Sequence, residues 1–264
     1  MIMDRIYKNI IVFLVLILWI SCKGKIENHT TEVIKTDHVI HYVTYGTNPE
    51  AEKSFEYNGQ GDVVKYIVYM DTITYTYTDK TIEKNHSNKS ADWLAYVSYT
   101  LDKSGRIIGS NAFDENKNCI SNTLYAYDMD GYLIKTDQTI METQRKYVNT
   151  YEYKDGNLLE IQTYTFDGRL SSKYVYQYYE DKIDKSNMFL QGFTDDYFTN
   201  DRFGRKNKNL LNSSANIGIE NDTLSYVTYS YAEETAKNIL SIFQSDDLNG
   251  FETEIIYHYM KPKK

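Results

Sequence analysis

Proline, cysteine and tryptophan are scarce in this chain of 264 residues, with two copies of each. The prolines stand at positions 49 and 262, so nothing inside the chain resembles a rigid spacer between domains. The two cysteines, Cys22 and Cys119, cannot build a disulfide framework. Positive charge is also in deficit, with 29 basic against 37 acidic residues, and an acidic chain repels phosphate backbones. We therefore expect one domain and no nucleic acid as a partner.

One long unbroken apolar run occurs, at residues 10–20, and it is shorter than the roughly 20 residues that a membrane-spanning helix needs. Arg5 and Lys8 precede the run and Ser21-Cys22 follow it, which is the order of a secretory signal peptide. A cysteine directly after a small residue also resembles a bacterial lipobox, although Trp19 stands where such boxes usually carry leucine. In that case Cys22 is lipidated and becomes the mature N-terminus. The alternative is an ordinary cleaved signal followed by an incidental cysteine.

These features predict three segments. Residues 1–21 are expected to be a signal peptide, 22–37 a flexible tether, and 38–264 a tyrosine-rich antiparallel β domain. We expect the mature protein to be exported and anchored by a lipid on Cys22 to the bacterial outer membrane, on its periplasmic or its surface side. The membrane is then a partner through the anchor.

Tyrosine, in contrast, is abundant, with 27 copies. It recurs in a unit that consists of Tyr-x-Tyr or Tyr-x-Phe, an acidic turn with glycine, and an aliphatic residue that begins the next strand. Clear copies occupy residues 125–133, 151–158 and 164–170, and a looser copy occupies 99–107. Such units repeated in tandem build an antiparallel meander. The sequence therefore predicts an all-β fold, a single large curled meander sheet or open barrel of roughly 12–15 strands, with one long loop near residues 191–222.

Asp-Gly turns are strong hairpin signals, and they occur at Asp155-Gly156 and Asp167-Gly168. With two-residue turns, the predicted cross-strand pairs are Tyr153 with Leu158, Tyr151 with Glu160, Tyr147 with Tyr164, Ile161 with Tyr174, Glu160 with Val175, and Thr165 with Leu170. A bulged three-residue turn would shift this register.

On the predicted register, four tyrosines form one patch with Glu160 and Gln162 between their rings: Tyr147, Tyr151, Tyr153 and Tyr164. Aromatic rings with a few polar groups suit an exposed platform for a glycan or a peptide. The same patch would equally stabilise a lone sheet through cross-strand contacts.

The segment 191–222 interrupts the repeats and carries Phe193, Tyr197 and Phe198 among charged residues. Long loops inside a domain are often functional, so these three aromatic residues are further candidates for a binding surface. The alternative is that the aromatic residues of this loop plug the open side of the curled sheet. Carboxylates such as Asp195 and Asp196 could instead serve a hydrolase.

The sequence predicts no cofactor and no metal site. The five histidines lack the spacing of metal ligands. The segment Asp128-Met-Asp-Gly131 resembles the centre of a calcium loop, but Ala126 stands where the first ligand belongs, so we expect a turn.

Two resemblances to known families rest on these motifs. Residues 125–133, Tyr-Ala-Tyr-Asp-Met-Asp-Gly-Tyr-Leu, resemble the Tyr-Asp repeat of large bacterial shell and surface proteins. Over residues 92–260 the chain more closely resembles a family of Bacteroidota lipoproteins with a porin-like fold, known only as a domain of unknown function. The shared features are Tyr-x-Tyr with Asp-Gly turns, a polar break at residues 204–214, and the ending Tyr257-His-Tyr259. This resemblance implies a curved antiparallel sheet and assigns no activity.

Three classes of function follow. The first is a non-catalytic, lipid-anchored envelope protein that binds a glycan, a peptide or another envelope protein. The second is a purely structural surface protein, and the third is a hydrolase on the 191–222 loop. We expect the first. An outer-membrane channel is disfavoured because a lipidated N-terminus is not typical of a spanning barrel.

Overall fold

The fold is seen in a computed structural model, which describes residues 39–46, 48–68, 71–88, 94–184, 198, 201–234 and 239–261. The regular structure within these residues consists of sixteen strands. Their bounds are β1 Val39–Tyr45, β2 Asn48–Tyr57, β3 Val63–Val68, β4 Asp71–Tyr77, β5 Thr81–His86, β6 Tyr96–Leu101, β7 Ile107–Phe113, β8 Cys119–Tyr127, β9 Leu133–Ile140, β10 Arg145–Lys154, β11 Asn157–Tyr164, β12 Leu170–Ile183, β13 Asn209–Ile217, β14 Thr223–Glu234, β15 Ile239–Asp246 and β16 Phe251–Met260. In this described part of the chain, no helix is long and apolar enough to cross a membrane.

The strands form one closed barrel. Each strand pairs antiparallel with its neighbours in the chain, and β1 closes on β16 through pairs such as Val43 with Tyr257. The predicted all-β meander is therefore confirmed, and the wall is closed by sixteen strands. The predicted extent of the long loop is wrong beyond residue 208, because β13 occupies Asn209–Ile217.

The turns that follow even-numbered strands lie together at one rim of the barrel, hereafter the plugged rim; the other turns lie at the far rim. The turns after β2, β6 and β8 share one local structure. An Asn or Asp side chain begins the turn and a glycine with positive φ stands three residues later, in the pairs Asn58 and Gly61, Asp102 and Gly105, and Asp128 and Gly131. At the second of these, the Asp102 carboxylate accepts the amides of Ser104 and Arg106 at 2.8 and 2.9 Å. This explains the acidic residue and the glycine of the sequence repeat.

The residues that flank the turns of the plugged rim point into the barrel. The tyrosine before the turn donates its hydroxyl to a backbone carbonyl of the preceding strand, as in Tyr57 to Ile40 at 2.6 Å, Tyr77 to Val63 at 2.7 Å and Tyr127 to Ile107 at 2.6 Å. The first aliphatic residue after the turn is at most 1% exposed at Val63, Ile82, Ile107, Leu133 and Leu158. Each fully buried aliphatic side chain stabilises the fold by about 1.5–3 kcal/mol. The repeat therefore places a row of buried aliphatic residues just inside the plugged rim.

The two Asp-Gly hairpins differ from each other. Asp155 and Gly156 both have positive φ, 53° and 86°, and Lys154 pairs with Asn157, so this turn is tight as predicted. At the second hairpin only Gly168 has positive φ, and the Thr165 amide donates to the Arg169 carbonyl at 2.9 Å. That turn is the bulged form that shifts the register.

The register prediction is partly confirmed. The confirmed pairs are Tyr153 with Leu158, Ile161 with Tyr174, and Glu160 with Val175. The other three pairs are wrong, because Tyr151 lies opposite Ile161, and Tyr164 lies opposite Val148 on one side and Leu170 on the other. Irregularities between Glu152 and Tyr153 and between Thr163 and Tyr164 cause the shift. A shift of one residue moves a side chain to the opposite face of the sheet.

The two faces of the wall differ in chemistry. Inward positions carry the core, such as Ile73 and Tyr75 on β4, whereas Thr72, Thr74 and Thr76 alternate with them on the outside. The outside also carries ion pairs, namely Lys65 with Glu56 at 2.8 Å, Lys135 with Asp137 at 2.7 Å and Lys173 with Glu160 at 3.1 Å. The core therefore lies inside the barrel, whereas the outer face mixes polar and charged residues with exposed aliphatic ones such as Ile67 and Leu124.

Candidate functional site

The predicted tyrosine patch is divided between the two faces of the wall. Tyr151 points into the barrel, is 8% exposed and lies 3.2 Å from the Thr136 hydroxyl. Tyr147 and Tyr153 alternate with outward residues on the same strand, so they also face inwards. Tyr164 faces outwards and donates its hydroxyl to the Gln162 side chain. The expectation of one continuous patch is therefore wrong.

The three aromatic candidates on the long loop are described only in part. Phe193 and Tyr197 lie outside the described residues, as does Cys22. Phe198 is 6% exposed, with its ring centroid 5.4 Å from that of Tyr75 and 5.6 Å from that of Tyr99. It belongs to the core, as the plug alternative predicted.

We use the name plug segment for Phe198 and residues 201–208. Its second aromatic residue, Phe203, is also buried, and its ring centroid lies 5.5 Å from that of Tyr125 and 5.6 Å from that of Phe198. The two phenylalanines thus fill the interior beside β4, β6 and β8. Aromatic pairs at these distances each contribute about 0.5–1.5 kcal/mol beyond the burial of their area.

The plug segment is held by backbone hydrogen bonds to three successive hairpins. The Arg202 carbonyl accepts the Ile107 amide at 2.7 Å, and the Arg205 and Lys208 amides donate to the Gly131 and Gly156 carbonyls at 2.9 Å each. The contacts recur every three residues of the plug segment. Three residues of extended chain span about 10 Å, which matches two strand spacings of about 4.8 Å each. The step from Arg205 to Lys208 therefore advances the chain by one hairpin.

Asparagine side chains fix the end of the plug segment. The Leu158 amide donates to the Asn207 side chain at 2.8 Å. Asn157 and Asn209 bond reciprocally, with the Asn157 Nδ2 at 3.0 Å from the Asn209 Oδ1 and the Asn209 amide at 2.9 Å from the Asn157 Oδ1. This places the plug segment in a defined position before β13 begins.

A cavity of about 600 Å³, hereafter the rim pocket, lies where the plug segment meets the hairpins after β6 and β8. Glycine makes this approach close, because a Cβ at Gly204 would lie 2.6 Å from the Gly131 carbonyl oxygen. The lining residues that carry the argument are three arginines and two aspartates: Arg106, Arg202, Arg205, Asp130 and Asp201.

Two of the arginines are already neutralised. Arg106 contacts the Asp102 carboxylate through Nε at 2.9 Å and Nη2 at 2.8 Å. Arg202 contacts Asp62 at 3.3 Å and donates to the Gly105 carbonyl at 3.0 Å. Both guanidinium groups therefore serve the structure of the rim.

The remaining charges of the rim pocket are of both signs and make no direct ion pair with the described residues. Arg205 is exposed, and its guanidinium lies 5.7 Å from the Tyr132 ring centroid. Within the described part of the chain, Arg205, Asp130 and Asp201 form no ion pair. The pocket therefore offers one guanidinium and two carboxylates to a ligand.

Lys206, next to the rim pocket, has a different environment. Burial lowers the pKa of its ammonium group, and the negative charges of Asp201 and Asp184 partly oppose that shift. The charge of Asp201 therefore acts electrostatically on the buried ammonium group of Lys206.

Asp130, in contrast, lies in the turn after β8. The Asp128 carboxylate closes that turn by accepting the Tyr132 amide at 2.8 Å. The predicted turn at residues 128–131 is confirmed.

Comparison with known proteins identifies the fold. No family model matches the chain, and no curated protein matches it. Several solved structures are similar to it, and two of them are porin-like proteins. A porin-like protein from Bacteroides vulgatus aligns with a TM-score of 0.60 and 18% identity over 84% of this chain and 98% of that chain. A porin-like protein from Bacteroides uniformis aligns with a TM-score of 0.60 and 15% identity over 84% of this chain and 96% of that chain. At these identities the shared feature is the fold.

The rim pocket includes residues of the predicted long loop other than its aromatic candidates. The sequence indicates the aromatic residues of this loop as candidates, whereas the charged residues beside them, Asp201 and Arg205, reach the rim pocket. Asp130 belongs to a segment interpreted only as a turn. No local pattern joins these residues, because they meet through the path of the plug segment across the hairpins. Among the described residues, no group of three His, Cys, Asp or Glu side chains is placed to hold a metal ion.

Proposed function

We propose that the chain is a non-catalytic, lipid-anchored protein of the bacterial envelope that binds short peptides at the rim pocket. The observation that carries this proposal is the set of unpaired charges in that pocket, Arg205 with Asp130 and Asp201. A guanidinium suits a carboxylate, which it can bind through two parallel hydrogen bonds. The carboxylates suit an ammonium group. A short peptide with free ends carries both groups.

The composition of the outer wall supports the proposal that the barrel is surrounded by water and is held at the membrane by its lipid anchor. Barrels whose strands cross a membrane carry an apolar outward band about 25 Å tall. Here the outward rows carry threonines and ion pairs such as Lys135 with Asp137, and exposed aliphatic residues such as Leu124, opposite Asp137, stand among these polar groups. The signal peptide expected at residues 1–21, followed directly by Cys22, is the reason to expect export and lipidation.

The filled interior favours a binding surface over a channel. Phe198 and Phe203 occupy the barrel beside the plugged rim, and the hairpins hold the plug segment by backbone hydrogen bonds. The same contacts present the charged side chains outwards from a rigid support. A pre-organised support lowers the entropic cost of binding a small ligand.

Isothermal titration of the purified full chain with alanyl-alanine tests the proposal. Three forms of the dipeptide are compared: free at both ends, N-acetylated, and C-amidated. We expect the free form to bind, and each blocked end to weaken binding by about ten- to a hundredfold, because a hydrogen bond to a charged group contributes about 1.5–3 kcal/mol. Arg205→Gln should remove the penalty for C-amidation, and Asp130→Asn the penalty for N-acetylation.

Arg145→Gln is the matched control, since Arg145 is an exposed arginine that begins β10 at the far rim. It should leave all three affinities unchanged. Equal binding of the three forms, or no binding at millimolar concentration, would contradict the proposal and leave the purely structural role. Release of free alanine during the titration would indicate a hydrolase instead.

A further inference from the structure

A seam opens in the wall between β13 and β14. Their backbone ladder begins at Ser213 opposite Thr228, and residues 209–212 of β13 have no backbone pairing with β14. Tyrosine hydroxyls bridge the seam instead. Tyr231 donates to the Leu211 carbonyl and Tyr179 donates to the Tyr229 carbonyl, each at 2.8 Å.

A cleft of about 560 Å³, hereafter the seam groove, follows this opening over the outer faces of β14, β15 and β16. Tyr179 forms its wall at the seam. Two rows of outward residues cross the three strands side by side. One row is Ser230, Phe243 and Glu254, and the next is Thr228, Ser245 and Glu252.

The row with Phe243 places an aromatic ring between two polar groups. Phe243 is 42% exposed, although it lies in the middle of a strand. Ser230 and Glu254 flank it at one strand spacing, about 4.8 Å, on either side. Within the described residues, neither Ser230, Glu252 nor Glu254 uses its side chain in a hydrogen bond or an ion pair. The groove therefore combines a bare ring with uncommitted polar groups.

This combination matches the chemistry of a sugar ring. One face of a hexopyranose presents C–H groups that pack on an aromatic ring, and its hydroxyls lie around the edge. Carboxylates accept hydrogen bonds from sugar hydroxyls, and the hydroxyls of serine and threonine both donate and accept. A basic peptide would use the two glutamates alone and would leave the serine and threonine of the groove without a role.

We propose that the seam groove binds a neutral glycan, with one sugar ring on Phe243 and its hydroxyls bonded to Ser230 and Glu254. This site is separate from the rim pocket, since the two share no residue. The neighbouring row, Thr228 with Glu252, contacts the next sugar along the groove. Tyr179 bounds the chain of sugars at the seam.

Titration of the full chain with maltohexaose, cellohexaose and xylohexaose tests this proposal. At least one saccharide should bind. Phe243→Ala should weaken it about tenfold, which is the loss of one stacked ring, and Phe243→Tyr should retain it. Glu254→Ala should weaken it several-fold. Phe166→Ala is the control, because Phe166 is 65% exposed in the far-rim turn after β11.

The substituted side chains lie on the outer face of the wall and outside the core, so each variant should remain folded, with a thermal unfolding close to that of the wild type. Arg205→Gln should not change saccharide binding, which separates this site from the rim pocket. Three outcomes would overturn the proposal. They are no binding of any of the three saccharides at millimolar concentration, equal binding by Phe243→Ala, or binding of hexalysine in place of the saccharides.

Discussion

The position of the plug segment can be tested by adding one methyl group at Gly204 and comparing the result with the same change at Gly168. Both glycines have positive φ, 85° and 77°, so alanine at either position pays a similar backbone cost of about 1–2 kcal/mol. The surroundings differ. A Cβ at Gly168 meets nothing within 4 Å, whereas a Cβ at Gly204 lies 2.6 Å from the Gly131 carbonyl oxygen and 2.9 Å from Tyr127 Cε1.

Gly204→Ala must therefore displace a carbonyl that also accepts the Arg205 amide at 2.9 Å. Overpacking costs about 1–3 kcal/mol and a lost hydrogen bond about 0.5–1.5 kcal/mol. We expect Gly204→Ala to lower the free energy of unfolding by about 2–4 kcal/mol more than Gly168→Ala does. If the plug segment undocks locally instead, the loss is limited to its docking free energy.

Urea denaturation measures the first effect, and amide hydrogen exchange detects the second. The reporting amides are Ile107, Arg205 and Lys208, which make the hydrogen bonds between the plug segment and the hairpins. They should exchange faster in Gly204→Ala than in Gly168→Ala. Free energies of unfolding that agree within about 0.5 kcal/mol, with equal protection of these amides, would refute the docked position.

Three further predictions concern other parts of the chain. Cys22→Ser should move the protein from the membrane fraction to the soluble fraction after lysis, because lipid attachment at this residue is the expected anchor; a wild-type protein that is already fully soluble would contradict it. Tyr151→Ser should lower the free energy of unfolding by about 3–5 kcal/mol, because the ring is buried. Tyr164→Ser, on the outside, should lower it by less than about 1 kcal/mol. Equal losses in urea denaturation would contradict the assignment of the two residues to opposite faces. Burial raises the pKa of Tyr57 and Tyr127 above the ordinary value, so their contribution to stability is complete below pH 10 and is lost as the pH rises above it. Tyrosinate absorbance from these residues should appear only together with unfolding. Ionisation of every tyrosine near pH 10 in the folded protein would contradict their burial.

Local chemistry made part of the fold predictable. Asp155-Gly156 specifies a tight turn by itself, since both residues must adopt positive φ, and the adjacent pair Tyr153 with Leu158 follows from it. The bulge between Glu152 and Tyr153 has no comparable signal, because no residue there requires an unusual backbone. The shift of the register by one residue at this bulge places Tyr151 on the inner face and Tyr164 on the outer face.

Closure and the candidate sites depend on contacts between distant parts of the chain. The pair Val43 with Tyr257 joins the first strand of the barrel to the last, and no pattern within either strand specifies the partner. The rim pocket arises in the same way, because Asp130 and Arg205 meet only after the plug segment has crossed the hairpins. Alternation and turn residues fix the strands and their inward faces, whereas the sites lie where separate repeats come together.

The regular spacing of the hydrogen bonds along the plug segment also limits how such a barrel can change in evolution. Each hairpin from β6 to β11 meets the plug segment at one residue in three, at Arg202, Arg205 and Lys208. A gene duplication that adds one strand pair between Gly131 and Gly156 would leave Lys208 one hairpin short of its acceptor. The loop would then need three more residues, or it would lose its register with every hairpin beyond the insertion. The circumference of the barrel and the length of the loop are therefore expected to vary together among relatives of this protein.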